Sequence, residues 1–220
     1  MTDEQKQPEI SVRLLLQTQS MSVRDMVCRG QCRHRSPEEC STATHMVFPY
    51  RGVYVRHVGH SESVAEANQV VFFNESESYR ISHPVGGGDA CISVTLGEPL
   101  LRELAPKEHL RDGGPAAFAE HRLRIDPGTQ AFVAQLRHSL VHGVTGPLET
   151  ESMTLALVRR ALGGRMPSHT RRASLGHQKL VYRAKLMLST DPARRWAEFV
   201  RLLASPRLPS GLRAPAQPRR

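Results

Sequence analysis

The chain has 220 residues and a formal net charge of +9, enough length for one ordinary core and a smaller appendage. Lys and Arg stand 20 against 19 Asp and Glu over residues 1–176 but 10 against 2 over residues 177–220, which argues against a basic face on the body and places any phosphate contact in the last fifth. No run reaches the roughly 18 to 20 apolar residues of a membrane span, the N-terminus does not read as a secretion signal, and Cys28, Cys32, Cys40 and Cys91 are too few for a disulfide scaffold, so a cytoplasmic protein with reduced thiols is expected.

Residues 1–20 are polar apart from the apolar run 12–16, and read as an N-terminal arm that is either flexible or a short pairing strand. From Met46 the texture becomes that of strands. After Pro49 and Gly52, Val53, Val55 and His57 share one face while Tyr54, Arg56 and Val58 share the other. Further strands are expected over residues 69–73, 79–82 and 91–96, separated by the turn signals Asn74-Glu75-Ser76 and Pro84 to Asp89. Short strands at this spacing suggest a sandwich or small barrel.

The period then changes to 3.6. A short helix is expected over residues 99–105, and a longer one over 129–144 behind the start signal Asp126-Pro127-Gly128. A third begins at Pro147 and ends at Gly163-Gly164. Strands first and helices after give an α+β class with the helices on one side. Residues 164–176 have a linker's composition, 177–188 and 193–204 read as two helices around Asp191-Pro192, and 205–220 as a disordered basic tail rich in proline.

The series Met46 to His57, Asn68 to Asn74 and Tyr79 to Pro84, continued by the glycine-rich turn, Asp89 and residues 91–96, resembles the cupin-like sensor domain of AraC/XylS transcription regulators. The resemblance covers about residues 22–196, and the ordered series carries it rather than any single motif. It implies a small cupin-like β-barrel that holds a small organic effector, a helical dimerisation segment, and a linker to helix-turn-helix units. On this reading residues 21–163 are the sensor and dimerisation domain, and 177–204 are a short, incomplete remnant of the DNA-binding domain. The pattern breaks near Trp196, before either recognition helix, so a truncation is expected there.

On the expected barrel, Arg51, Tyr54, Arg56, His57, Phe73 and Tyr79 are the candidate effector contacts, with core packing as the competing account. Phe132, Leu136, Leu140, Leu155 and Val158 either form a dimer surface or cover the barrel; a homodimer, or a heterodimer with a full-length relative, is expected. Lys179, Arg183, Lys185, Arg194 and Arg195 are candidate phosphate contacts. Without a helix for the major groove, DNA binding should be weak and non-specific.

Neither a metal nor a cofactor is expected. A metal-binding cupin presents His-x-His within a strand, whereas His57 and His60 are three apart; His45, His57, Glu66 and His83 therefore read as structural or loop residues. The spacing of Cys28, Cys32 and Cys40, with His34 or His45, is too loose for a convincing zinc site. Gly86-Gly87-Gly88 reads as a turn, because no Lys or helix start follows it, and no catalytic motif emerges. The alternative is a stand-alone cupin enzyme or small-molecule binder with a metal in the barrel held by His45, His57 or His83.

Overall fold

The computed structural model describes residues 10–30, 34–83 and 87–163. Among the described residues, ten strands and three α-helices follow one another: β1 (Ile10–Gln17), β2 (Met21–Cys28), β3 (Glu39–Cys40), β4 (His45–Gly52), β5 (Tyr54–Val58), β6 (Ser61–Ala65), β7 (Gln69–Phe73), β8 (Ser78–Ser82), β9 (Asp89–Leu96), α1 (Glu98–Leu104), β10 (Arg122–Arg124), α2 (Pro127–His142) and α3 (Pro147–Gly163). They form a six-stranded sheet, ordered β1-β2-β9-β4-β7-β10, and a four-stranded sheet, ordered β3-β8-β5-β6. The strand pairings are antiparallel. The described body is therefore mostly antiparallel sheet with a few helices, in keeping with a cupin-like sandwich or barrel.

Side-chain alternation divides the six-stranded sheet into two working faces. Met46 and Phe48 of β4, Val70 and Phe72 of β7, and Ile92 and Val94 of β9 join Leu136, Leu157 and Val158 of the helices in one large core. Their neighbours Val47, Val71, Phe73 and Cys91 join Tyr54 and Ala65 in a second, smaller core between the sheets. Burial on both faces explains why β7 carries the unbroken apolar run Val70-Val-Phe-Phe73.

The helix boundaries follow their punctuation. Asp126 caps α2, its carboxylate accepting from the Thr129 backbone N–H at 3.0 Å, and Gly143 closes the helix in the left-handed conformation. The loop before β10 is tied down by Asn74, whose side-chain amide donates to the Phe118 carbonyl at 3.1 Å and whose oxygen accepts from the Phe118 N–H at 2.7 Å. That clamp stacks Phe118 on Phe72 with ring centroids 3.9 Å apart.

Three points that the sequence leaves open or does not signal have plain physical causes. Within the N-terminal arm, Ile10–Gln17 is a strand paired to β2, so pairing rather than flexibility describes it. The polar strand β6 lacks a hydrophobic signature because its partner β5 supplies the pairing through a tight hairpin. Leu136 and Val158, named as dimer contacts, are fully buried against the sheet of their own chain; Phe132, Leu140 and Leu155 pack beside them but keep part of their surface. The candidate linker, both later helices, the tail, and Lys179, Arg183, Lys185, Arg194 and Arg195 lie outside the described residues.

Candidate functional site

Between the two sheets lies a cavity of about 290 Å³, near the small end for organic-ligand pockets. Ile10, Met26, Val47, Phe73 and Ile81 give it apolar walls, while Glu39, His45, Tyr54, Tyr79, His83, Asp89, Cys28 and Cys91 add polar atoms. One wall is an aromatic stack. The His45 ring lies parallel to Phe73 with centroids 4.9 Å apart, and Tyr79 meets Phe73 edge-on at 4.9 Å. Behind it the Arg56 guanidinium sits 4.3 Å from the Phe73 centroid, a cation–π contact that fixes the ring.

Hydrogen bonds decide what this wall offers a ligand. His45 Nδ1 lies 2.8 Å from the Ala43 carbonyl, so it carries the proton and donates, and Nε2 is left as an acceptor. Burial lowers the His45 pKa and keeps the ring neutral. Tyr79 donates its hydroxyl to Glu39 at 3.0 Å, and burial followed by the Glu39 charge raises its pKa above the ordinary phenol value. The Tyr54 hydroxyl is also held protonated, by burial first and then by the nearby Cys91 and Asp89.

Of the six candidate effector contacts, Tyr54, Phe73 and Tyr79 line the cavity. Arg51, Arg56 and His57 do not line it. Arg51 is exposed, at the irregular step where β4 shifts register against β9. Arg56 is 1% exposed and its guanidinium is committed to Glu77 and the back of the aromatic wall. His57 lies buried between Glu62, at 3.1 Å from Nδ1, and Ser82, at 2.9 Å from Nε2. Glu77, which closes the charge of Arg56 and also accepts from Arg111 at 3.1 Å, lies in the polar stretch between the strands expected over residues 69–73 and 79–82. Burial alone would raise the Glu77 pKa, but the hydrogen bond and charge of Arg56, with help from Arg111, hold it below the usual value.

At another wall of the cavity the ends of three strands converge. Cys28 closes β2, His83 follows β8 and Asp89 opens β9, and one donor atom from each lies within 4.8 Å of the other two. His83 Nε2 and Asp89 Oδ1 are 2.7 Å apart, and both side chains are buried. The hydrogen bond to Asp89, then one to Cys28, pushes the His83 pKa up to about 9. The cluster is built against glycines. A Cβ on Gly30 would meet His83 Nδ1 at 2.8 Å and Cys28 Sγ at 3.0 Å, and one on Gly88, at φ +63, would collide with the Cys28 carbonyl. By spacing alone, Cys28 and His83 fall into separate candidate metal sets and Asp89 into a turn.

No family model matches the chain, and no curated protein matches it either. Among solved structures it is similar to the EutQ protein of Clostridium difficile, at 11% identity over 40% of this chain and 67% of that one, with a TM-score of 0.34. It is also similar to a cupin superfamily protein of Desulfitobacterium hafniense, at 13% identity over 40% of this chain and 76% of that one, TM-score 0.33. A cupin-2 domain containing protein of Shewanella frigidimarina gives 6% identity over 40% and 80%, TM-score 0.33. At these scores the likenesses carry no functional argument, and the reading of the site rests on its own residues. Among the described residues no helix is long and apolar enough to cross a membrane.

Proposed function

We propose that residues 10–163 form a small-molecule sensor domain of the AraC/XylS type, whose effector is a compact, largely apolar organic molecule with one or two hydrogen-bonding groups. The observation that carries this reading is the cavity between the sheets, lined by Tyr54 and by the aromatic wall of His45, Phe73 and Tyr79. A monocyclic aromatic compound matches its size, with its polar group on the Tyr54 hydroxyl or His45 Nε2. The sensor is not itself an enzyme. It dimerises through the partly exposed helix residues Phe132, Leu140 and Leu155, and contacts DNA phosphates weakly through Lys179, Arg183, Lys185, Arg194 and Arg195.

Two measurements test the proposal. Calorimetric titration of the full chain with a panel of phenols and aromatic carboxylates should find a binder; at a hundred times its Kd it should stabilise the fold by about 2.7 kcal/mol. Binding unaffected by Phe73→Ala and Tyr54→Phe would remove the cavity from the account. Light scattering with a salt-titrated DNA assay should find a dimer without preference between random duplex and the promoter nearest its gene. A preference of about a hundredfold would instead mean that residues 177–220 read sequence. A second reading, a stand-alone cupin-fold binder or enzyme, is favoured by the convergence of Cys28, His83 and Asp89 on the cavity; a monomer with no DNA affinity would support it.

A further inference from the structure

We infer that Cys28, His83 and Asp89 form a binding site for one divalent transition-metal ion, with zinc as the ion its donors fit best. Three observations carry this inference beyond effector binding, and none depends on which effector the cavity takes. First, a sulfur, an imidazole nitrogen and a carboxylate oxygen lie within 4.8 Å of one another, and among the described residues this is the one such cluster of three or more donors. In a tetrahedral zinc site, bonds of about 2.0 to 2.3 Å place donors roughly 3.2 to 3.8 Å apart, so shifts of about an ångström bring these atoms into range. Binding the ion releases to solvent the proton that now joins His83 Nε2 to Asp89 Oδ1, together with the thiol proton of Cys28.

Second, the donors are held by backbone. Each stands at a strand terminus of the same body, and the pairing of β2 with β9 places Cys28 directly opposite Asp89. Gly30 packs against both Cys28 Sγ and the His83 ring, and its N–H donates to Cys28 Sγ at 3.3 Å. An N–H aimed at a ligating sulfur is the kind of outer support that orients metal ligands. Third, all three residues line the cavity. Three protein ligands would leave a tetrahedral ion one further position, and a small molecule in the cavity lies beside the residues that would hold it.

The donor mixture selects the metal. Thiolate and imidazole suit zinc and its neighbours in the transition series, whereas calcium and magnesium prefer shells of oxygen. The site is separate from the loose Cys28, Cys32, Cys40 spacing in the sequence, because the structure assigns the partners of Cys28 to His83 and Asp89. His45, on the aromatic wall at the far end of β4 from Gly52 and Asp89, is also outside it.

The test uses the full chain stripped with a chelator. Zinc competition against a chromophoric chelator should give one tight site per chain, and cobalt substitution should give the visible bands of a tetrahedral ion with a thiolate charge-transfer band in the near ultraviolet. Zinc should protect Cys28 from alkylation, read by peptide mapping of the unmutated protein, which keeps the test valid if a variant fails to fold. Cys28→Ser should abolish the charge-transfer band. His83→Gln and Asp89→Asn should each weaken zinc by more than about a hundredfold, beyond the usual loss from an outer-shell partner; Cys40→Ser should leave binding unchanged. Absence of a thiolate band, no protection of Cys28, or dependence on Cys32 and Cys40 in place of His83 and Asp89 overturns the assignment. So does a Cys28 that is alkylated rapidly whether or not zinc is present, which would make the same three groups a thiol with its base and orienting carboxylate. Zinc binding without effector binding defeats the aromatic-effector proposal alone, and the reverse result defeats the metal site alone.

Discussion

The two faces of the six-stranded sheet are made from the same strands and do opposite things. Toward the helices, alternate residues of β4, β7 and β9 are Met46, Phe48, Val70, Phe72, Ile92 and Val94, all buried in a core that contains no cavity-lining residue. Toward the second sheet, their neighbours His45, Val47, Phe73, Cys91 and Asp89 border open space. A period of two thus separates stability from chemistry within a single strand. The lesson is that substitutions one residue apart should have different consequences.

The largest expected effect breaks the helix side. Phe72→Ala removes a fully buried ring that stacks on Phe118, and should destabilise the fold by about 3 to 5 kcal/mol. Phe73→Ala, next in sequence, enlarges a void that already exists and should lose less, about 2 kcal/mol, while abolishing effector binding. Urea unfolding of both variants, with calorimetry on the second, compares the faces directly. Equal losses of stability and retained ligand binding in Phe73→Ala would erase the distinction.

Next comes the ion pair behind the aromatic wall. Arg56 is buried, so Glu77→Gln leaves its charge with a weaker acceptor, at about 3 kcal/mol near neutral pH. The folded pKa of Glu77 is depressed from an unfolded value of 4.5. Its contribution is therefore fully present above that value and disappears as pH falls through the lower folded value. Melting curves of the two proteins should diverge at neutral pH and converge in acid. Divergence that persists in acid would locate the effect in packing and not in charge.

The sequence made the apolar half of this comparison legible and the polar half much less so. Residues 69–73 and the helix starting at Pro147 were readable because burial demands a continuous or periodic run of apolar side chains, which composition cannot hide. Tyr54, Phe73 and Tyr79 were readable for the same reason, as aromatic residues on strands. Glu77 and Asn74 lie in or beside the turn signal Asn74-Glu75-Ser76, and their partners Arg56 and Phe118 are distant in sequence. Cys28 and Asp89 were no easier, since their proximity follows from the pairing of β2 with β9 across sixty residues of intervening chain. Spacing rules detect ligands that share one element; here three strand ends supply one each.

Asn74→Ala should come third in size. It removes both hydrogen bonds to the Phe118 backbone and leaves a buried N–H and carbonyl without those partners, at about 2 kcal/mol. Because the clamp holds Phe118 against Phe72, the loss belongs to the helix side, and ligand affinity should stay within about twofold. Hydrogen exchange should report faster opening of the loop around Phe118 with the cavity unaltered. A large fall in affinity would mean that this loop shapes the cavity after all.

The smallest effect on stability is expected from Tyr54→Phe, and that is why it sharpens the comparison most. Burial raises the Tyr54 pKa far above the ordinary phenol value, so its hydroxyl is neutral and able to donate. No described side chain or backbone group pairs with that hydroxyl, in contrast to Tyr79 with Glu39 and Tyr50 with Asp25. Deleting a hydroxyl that makes no internal bond leaves the core intact, and unfolding should change by less than about 0.5 kcal/mol. A ligand that accepts from Tyr54 should lose about tenfold in affinity, the scale of one hydrogen bond at roughly 1.4 kcal/mol. Unchanged stability with tenfold weaker binding assigns Tyr54 to the cavity's recognition of its ligand; lower stability with unchanged binding would move it to the structural side of the sheet.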